Sequence, residues 1–148
     1  MSRKIKTYPD TQYFHFHNAN PKNRRTGDCV IRAIALATNQ SWDKVLDDLT
    51  AISHECKYDL QCPECYNIYL ARLGWKRHNQ PKHFDNTKFT GKEFVDYIDE
   101  EMPNTNILAH IGGHHMTVFM PYENEGSRCW DIWNPTAKCI GNYWIKEK

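Results

Sequence analysis

Apolar residues recur at three- and four-residue spacing through most of the chain and crowd together in its last third. Over Cys29–Thr38 (CVIRAIALAT), Val30, Ile31, Ile34 and Ala37 or Leu36 fall at helical spacing with alanines between them, which predicts a helix. Asp28 stands where an N-cap belongs, so Cys29 falls on the first turn. Ser41 is expected to cap a second helix, from Trp42 to about Ser53, along Trp42, Val45, Leu46, Leu49 and Ile52. Residues 54–62 read as a loop. Pro63 opens a third helix filled by Tyr66, Ile68, Tyr69, Leu70 and Leu73 and ended by Gly74. Thr90-Gly-Lys-Glu93 forms a capping box for a fourth helix with Phe94, Val95, Ile98 and Met102, closed by Pro103.

Strand patterns lie around these helices. Tyr13-Phe-His-Phe-His17 suits a short strand, and Trp75 to Asn79 another. Ile107–Ile111 reads as a strand broken by Gly112-Gly113, and His115–Met120 as its successor. After the turn-rich YENEGS segment, Arg128–Trp133 reads as a third strand and Tyr143–Ile145 as a fourth. Helices first and an antiparallel sheet second place the chain in the α+β class. Residues 1–12 read as a polar tail and 13–148 as one domain.

Composition narrows the function classes. A chain of 148 residues buries a core without staples, and 40% hydrophobic with 13% aromatic residues is a globular composition. Lys plus Arg total 19 against 18 for Asp plus Glu, a net charge of +1, which weighs against a nucleic-acid partner. No apolar run nears the roughly 18 residues of a membrane span, and the basic N-terminus lacks the apolar core of a signal peptide. No membrane partner and a cytoplasmic location are expected. The six cysteines are therefore expected to be reduced, leaving packing, metal binding or chemistry as their uses.

Cys29 carries the first chemical signal. At a helix N-terminus the dipole and free N–H groups favour a thiolate, and the Cys29 N–H can point at an attacked carbonyl oxygen. The alternative is a cysteine that only packs. Strand alternation puts His115, Thr117 and Phe119 on one face and His114, Met116, Val118 and Met120 on the other. The following strand carries Cys129, Asp131 and Trp133 on one face. A hairpin between the two would bring Asp131 to His115, where a carboxylate fixes the imidazole tautomer and stabilises its charged form. His114 is the competing histidine, read here as a solvated loop residue.

Other residues offer rival uses. His54, Cys56, Cys62 and Cys65 present zinc-type ligands within twelve residues, and Cys62-Pro-Glu-Cys65 resembles a zinc knuckle. Free loop cysteines, or Cys65 facing the core, are the alternative. Lys22, Arg24 and Arg25 form a small basic cluster before Cys29, either solvated or selecting an acidic group. Trp130, Trp133 and Trp144 are expected to pack the sheet or line a cleft.

Gly27-Asp-Cys-Val-Ile-Arg-Ala-Ile-Ala35, followed by Ser41-Trp-Asp-Lys-Val45, resembles the start of small phage- and plasmid-borne proteins with a papain-like cysteine-peptidase fold. Tyr69-Leu70, Leu73-Gly-Trp75, His115-Met-Thr-Val118 and Asp131-Ile-Trp133 are similar to later parts of that family, so the likeness spans about residues 20–135. It implies a Cys29–His115–Asp131 triad on a papain-like fold, with Asn134 as the alternative third member. It also implies an oxyanion donor ahead of the cysteine, for which Asn23 is the nearest match, beside Asn18 and Asn20 in the same loop. The implied activity is hydrolysis of peptide, isopeptide or related acyl bonds on a protein or peptide substrate, with no cofactor required. Deamidation and transglutamination use the same parts. A structural zinc at His54, Cys56, Cys62 and Cys65 would be a local elaboration of that fold. Two other readings stay open: a non-catalytic protein binding a host factor on the same scaffold, and a zinc-stabilised nucleic-acid-binding module.

Overall fold

In the computed structural model, residues 8–147 are described. Strand β1 (Phe14–Phe16) precedes three helices, α1 (Cys29–Thr38), α2 (Trp42–Cys56) and α3 (Pro63–Arg72). Strand β2 (Trp75–His78) and helix α4 (Gly91–Glu101) follow, then β3 (Ile107–Ile111), β4 (His115–Pro121), β5 (Ser127–Asp131) and β6 (Ile140–Lys146). The fold is α+β, with four helices and six strands in one mixed sheet of order β1-β5-β4-β3-β6-β2.

Local chemistry accounts for the helix ends. The Ser41 hydroxyl accepts from the Lys44 N–H at 3.0 Å at the start of α2. The Thr90–Glu93 capping box closes reciprocally, with 3.0 and 3.2 Å bonds. Asp28 behaves differently: it occupies the N-cap of α1 but makes no side-chain capping bond. Helix α2 continues to Cys56, so His54 and Cys56 are helical and not in the expected loop. The apolar stripe ends near Ser53, but intrahelical hydrogen bonding carries the helix one turn further until Lys57 takes a left-handed cap at φ 64°.

The sheet is covered on both sides. Leu108, Met116, Val118 and Met120 pack with α1–α3 in one cluster. Ile107, Ala109, Ile111, Phe119 and Cys129 pack with Phe94, Val95 and Ile98 of α4 in a second. Two buried faces explain why β3 and β4 read as nearly continuous apolar runs.

Two expectations are corrected. The sheet is not wholly antiparallel and does not come wholly from the C-terminal part: β1 pairs in parallel with β5, and β2 forms the opposite edge on β6. Strand β5 ends at Asp131, so Trp133 lies beyond it. Part of the expected polar tail, residues 1–7, lies outside the described residues. Within 8–12, Tyr8 packs on the second core cluster, and Asp10 bonds the His15 ring at 2.7 Å and the Phe16 N–H at 2.8 Å.

Candidate active site

Helix α1 packs across β4, which brings Cys29, at the helix start, to the beginning of that strand. Gly112 and Gly113, at φ 64° and 100°, make the turn from β3 that lets His115 open β4. Strand β5 returns antiparallel with Val118 opposite Trp130. Continuing that register sets Thr117 opposite Asp131, with His115 two residues further along the same face. The Asp131 carboxylate spans the diagonal, and its Oδ2 lies 2.6 Å from His115 Nε2. Asp131 is 2% exposed and His115 16%.

With Nε2 committed to Asp131, Nδ1 is the ring nitrogen left for the thiol, and the His115 ring and the Cys29 thiol each shift the other's ionisation. Burial disfavours the Cys29 thiolate. Hydrogen bonds from His115 and the Met116 N–H, with the charges of His115 and Arg32, outweigh it and hold the thiol below its ordinary value. Burial likewise disfavours the imidazolium. Bonds to Asp131 and Cys29, and their charges, prevail and push the His115 pKa up to about 9. Asp131 is held below the ordinary carboxylate value despite its burial, by His115, Arg32 and the Thr117 hydroxyl. These shifts all favour a thiolate–imidazolium–carboxylate arrangement.

Helix α1 has no acidic residue in its first turn, so no side chain there competes with a thiolate. The Asp28 carboxylate points away from the helix end. Its Oδ1 takes the Arg32 Nε–H at 2.7 Å, and its Oδ2 takes the Trp42 Nε1–H at 2.9 Å and the Asn20 Nδ2–H at 3.1 Å. The first-turn N–H groups therefore lack the acceptor an N-cap normally supplies. Trp133, though past β5, sets its ring 4.9 Å from that of His115.

The other anticipated residues lie elsewhere or do other work. Asn134 Oδ1 accepts from the Thr136 N–H at 3.0 Å and its hydroxyl at 2.6 Å, which shapes a turn. Asn23 is exposed, with a left-handed backbone at φ 54°. It lines an open hollow of about 690 Å³ with Asn20, Arg24, Arg25, Thr26 and Trp42, a set that does not include Cys29. Asn18 gives an Nδ2–H to the Arg24 carbonyl within that loop, and Arg25 sits 5.3 Å over the Phe16 ring. His114 is exposed. Trp130 gives its indole N–H to the Met120 carbonyl at 3.3 Å, and Trp144 is buried in the helix-side core.

Among the described residues no group of three or more His, Cys, Asp or Glu side chains is arranged to hold a metal ion. Cys65 is fully buried and directs its thiol at the Leu49 carbonyl at 3.5 Å.

Sequence reasoning passed over Arg32. It gives its Nη1–H to Asp131 Oδ1 at 3.1 Å in addition to its bond with Asp28. The signal was present: Arg32 is the only charged residue of α1, and it follows Asp28 at the i,i+4 spacing of a helical ion pair. Tyr66 was assigned to the core. Its hydroxyl bonds His110 Nε2 at 2.5 Å, and the charge of Cys29 acts on it. No protein-family model matches this chain, no curated protein matches it, and no solved structure matches it.

Proposed function

We propose that this chain is a cysteine hydrolase of the papain-like type, acting on peptide, isopeptide or related acyl bonds. The observation that carries the reading is the chain of contacts from Cys29 through His115 to the buried Asp131, closed at 2.6 Å. A thiol that only packs gains nothing from an imidazole held in its charged form by a buried carboxylate.

In this reading the Cys29 thiolate adds to the acyl carbon, and the carbonyl π pair moves onto oxygen. The Cys29 N–H, at the first position of α1 and so without an intrahelical partner, receives that oxyanion. As the tetrahedral adduct collapses, the bond to the leaving amine breaks and His115 passes its proton to the nitrogen, leaving a thioester on Cys29. His115 then takes a proton from water, whose oxygen attacks the thioester. Collapse breaks the C–S bond and releases the acid, and the freed thiolate stands beside the imidazolium that His115 became on taking the proton from water, which restores the starting pair. Asp131 holds the ring orientation and its charge throughout.

The test is the rate of Cys29 alkylation by iodoacetamide against pH, with peptide mapping, in wild type and His115→Ala. A wild-type rate that persists below about pH 7, and in the variant rises only toward pH 8.5, is the expected outcome. Identical profiles that both rise near pH 8.5 would defeat the reading. Acyl substrates are then screened on the wild type, with Cys29→Ser as the inactive control.

A further inference from the structure

Arg32 touches two parts of this site at once. Its side chain is 7% exposed, at the fourth position of an otherwise apolar and alanine-rich helix. One edge of the guanidinium bonds Asp28 Oδ1 at 2.7 Å, and the Nη1 amine bonds Asp131 Oδ1 at 3.1 Å. The Ile132 N–H also bonds Asp131 Oδ1, at 2.7 Å, so Oδ2 is the oxygen left to face His115. On the other arm, Trp42 and Asn20 hold Asp28 Oδ2. An apolar side chain would tie α1 to the sheet without the desolvation cost of a buried cation between two carboxylates.

We infer that Arg32 is the positioning residue of the site: it orients Asp131 toward His115 and holds Asp28 off the N-terminus of α1, keeping the first-turn N–H groups open. This rests on the cysteine-hydrolase reading. The planar fork suits the task, because it reaches two carboxylates in fixed directions where an ammonium is a single point charge. Several other groups face Asp131 or its partners. His115 and Thr117 come from β4, Cys29 from α1, Cys129 from β5, and His17 lies just beyond β1. His17 is held toward its neutral form by burial and by His15, so Arg32 and His115 supply the positive charge.

The experiment is the same alkylation profile, run on the full chain as wild type, Asp28→Asn/Arg32→Gln and Arg32→Lys. The double variant removes one buried acid and one buried base, so the net buried charge is unchanged. Its acid limb is expected to move up by about 1–3 pH units, because Asp131 loses its adjacent cation, and its rate at pH 6 to fall about tenfold or more. Arg32→Lys keeps the charge without the fork and is expected to move the limb less far in the same direction. A residue that only ties helix to sheet would lower the melting temperature and leave the limb in place. If the double variant does not fold, Arg32→Lys decides alone: a displaced limb supports the role, and a profile superimposable on wild type overturns it. A normal wild-type profile with unmoved variants defeats the Arg32 role and leaves the hydrolase reading standing. A wild-type thiol that titrates near pH 8.5 defeats both.

Discussion

Two helices of this protein carry cysteine at their N-terminal ends, and they treat it in opposite ways. Cys29 opens α1, and its thiol is held below the ordinary value. Cys62 caps α3 and Cys65 sits in its first turn, and both thiols are raised, Cys65 to about 11. Both helix ends supply the same dipole and the same kind of N–H groups, so the dipole does not decide the outcome. Neighbours decide it. Cys29 faces an imidazole backed by a carboxylate, with Arg32 behind. Cys65 is buried against Cys56, with Cys62 and Asp59 adding negative charge, and Cys62 has slight burial and the Glu64 carboxylate beside it. At these two helix N-termini the charges beside each thiol set the direction of its shift.

The largest test of that contrast is structural. Asp131→Ala takes one of the two buried carboxylates from Arg32, leaving Asp28, and removes the partner of His115. It is expected to cost about 3–5 kcal/mol in urea unfolding. Cys65→Ala removes one buried sulfur with no charge to strand, and about 1 kcal/mol is expected by the same measurement. Equal costs would mean that the buried ionic network at Cys29 has no special structural weight.

Next in size is selectivity. At pH 6, peptide mapping after a short iodoacetamide pulse is expected to show Cys29 modified at least about tenfold faster than Cys62 or Cys65. Comparable labelling of Cys29 and Cys62 would erase the distinction between the two helix ends.

The smallest effect lies at α3. Glu64→Gln removes the carboxylate beside Cys62, and alkylation of Cys62 at pH 8 is expected to rise by about two- to threefold with Cys29 unchanged. No change at Cys62 would mean that its solvated setting, and not Glu64, sets its reactivity.

Different parts of the molecule were legible to different degrees. The Ser41 cap and the Thr90–Glu93 box are signals held within four residues, and both caps form where the residues predict. Asp28 carries an equally good local signal yet does not cap. Its carboxylate is drawn to Arg32, Trp42 and Asn20, and only Arg32 is visible from helical spacing. His54 and Cys56 read as loop residues because the apolar stripe ends near Ser53, yet hydrogen bonding keeps them in the last turn of α2.

What the amino-acid order settled by itself is local: where helices start, which strands are apolar on both faces, and that Cys29 stands on a first turn. Those outcomes depend on hydrogen bonds and side-chain sterics acting over one turn or one strand. Only the tertiary structure decided that β1 joins β5 in parallel, that Asp131 presents Oδ2 to His115, and that Arg32 spans carboxylates 4 and 99 residues away. Pairings across such separations depend on chain closure and on how two core layers clamp one sheet, and neither leaves a periodic mark in the sequence.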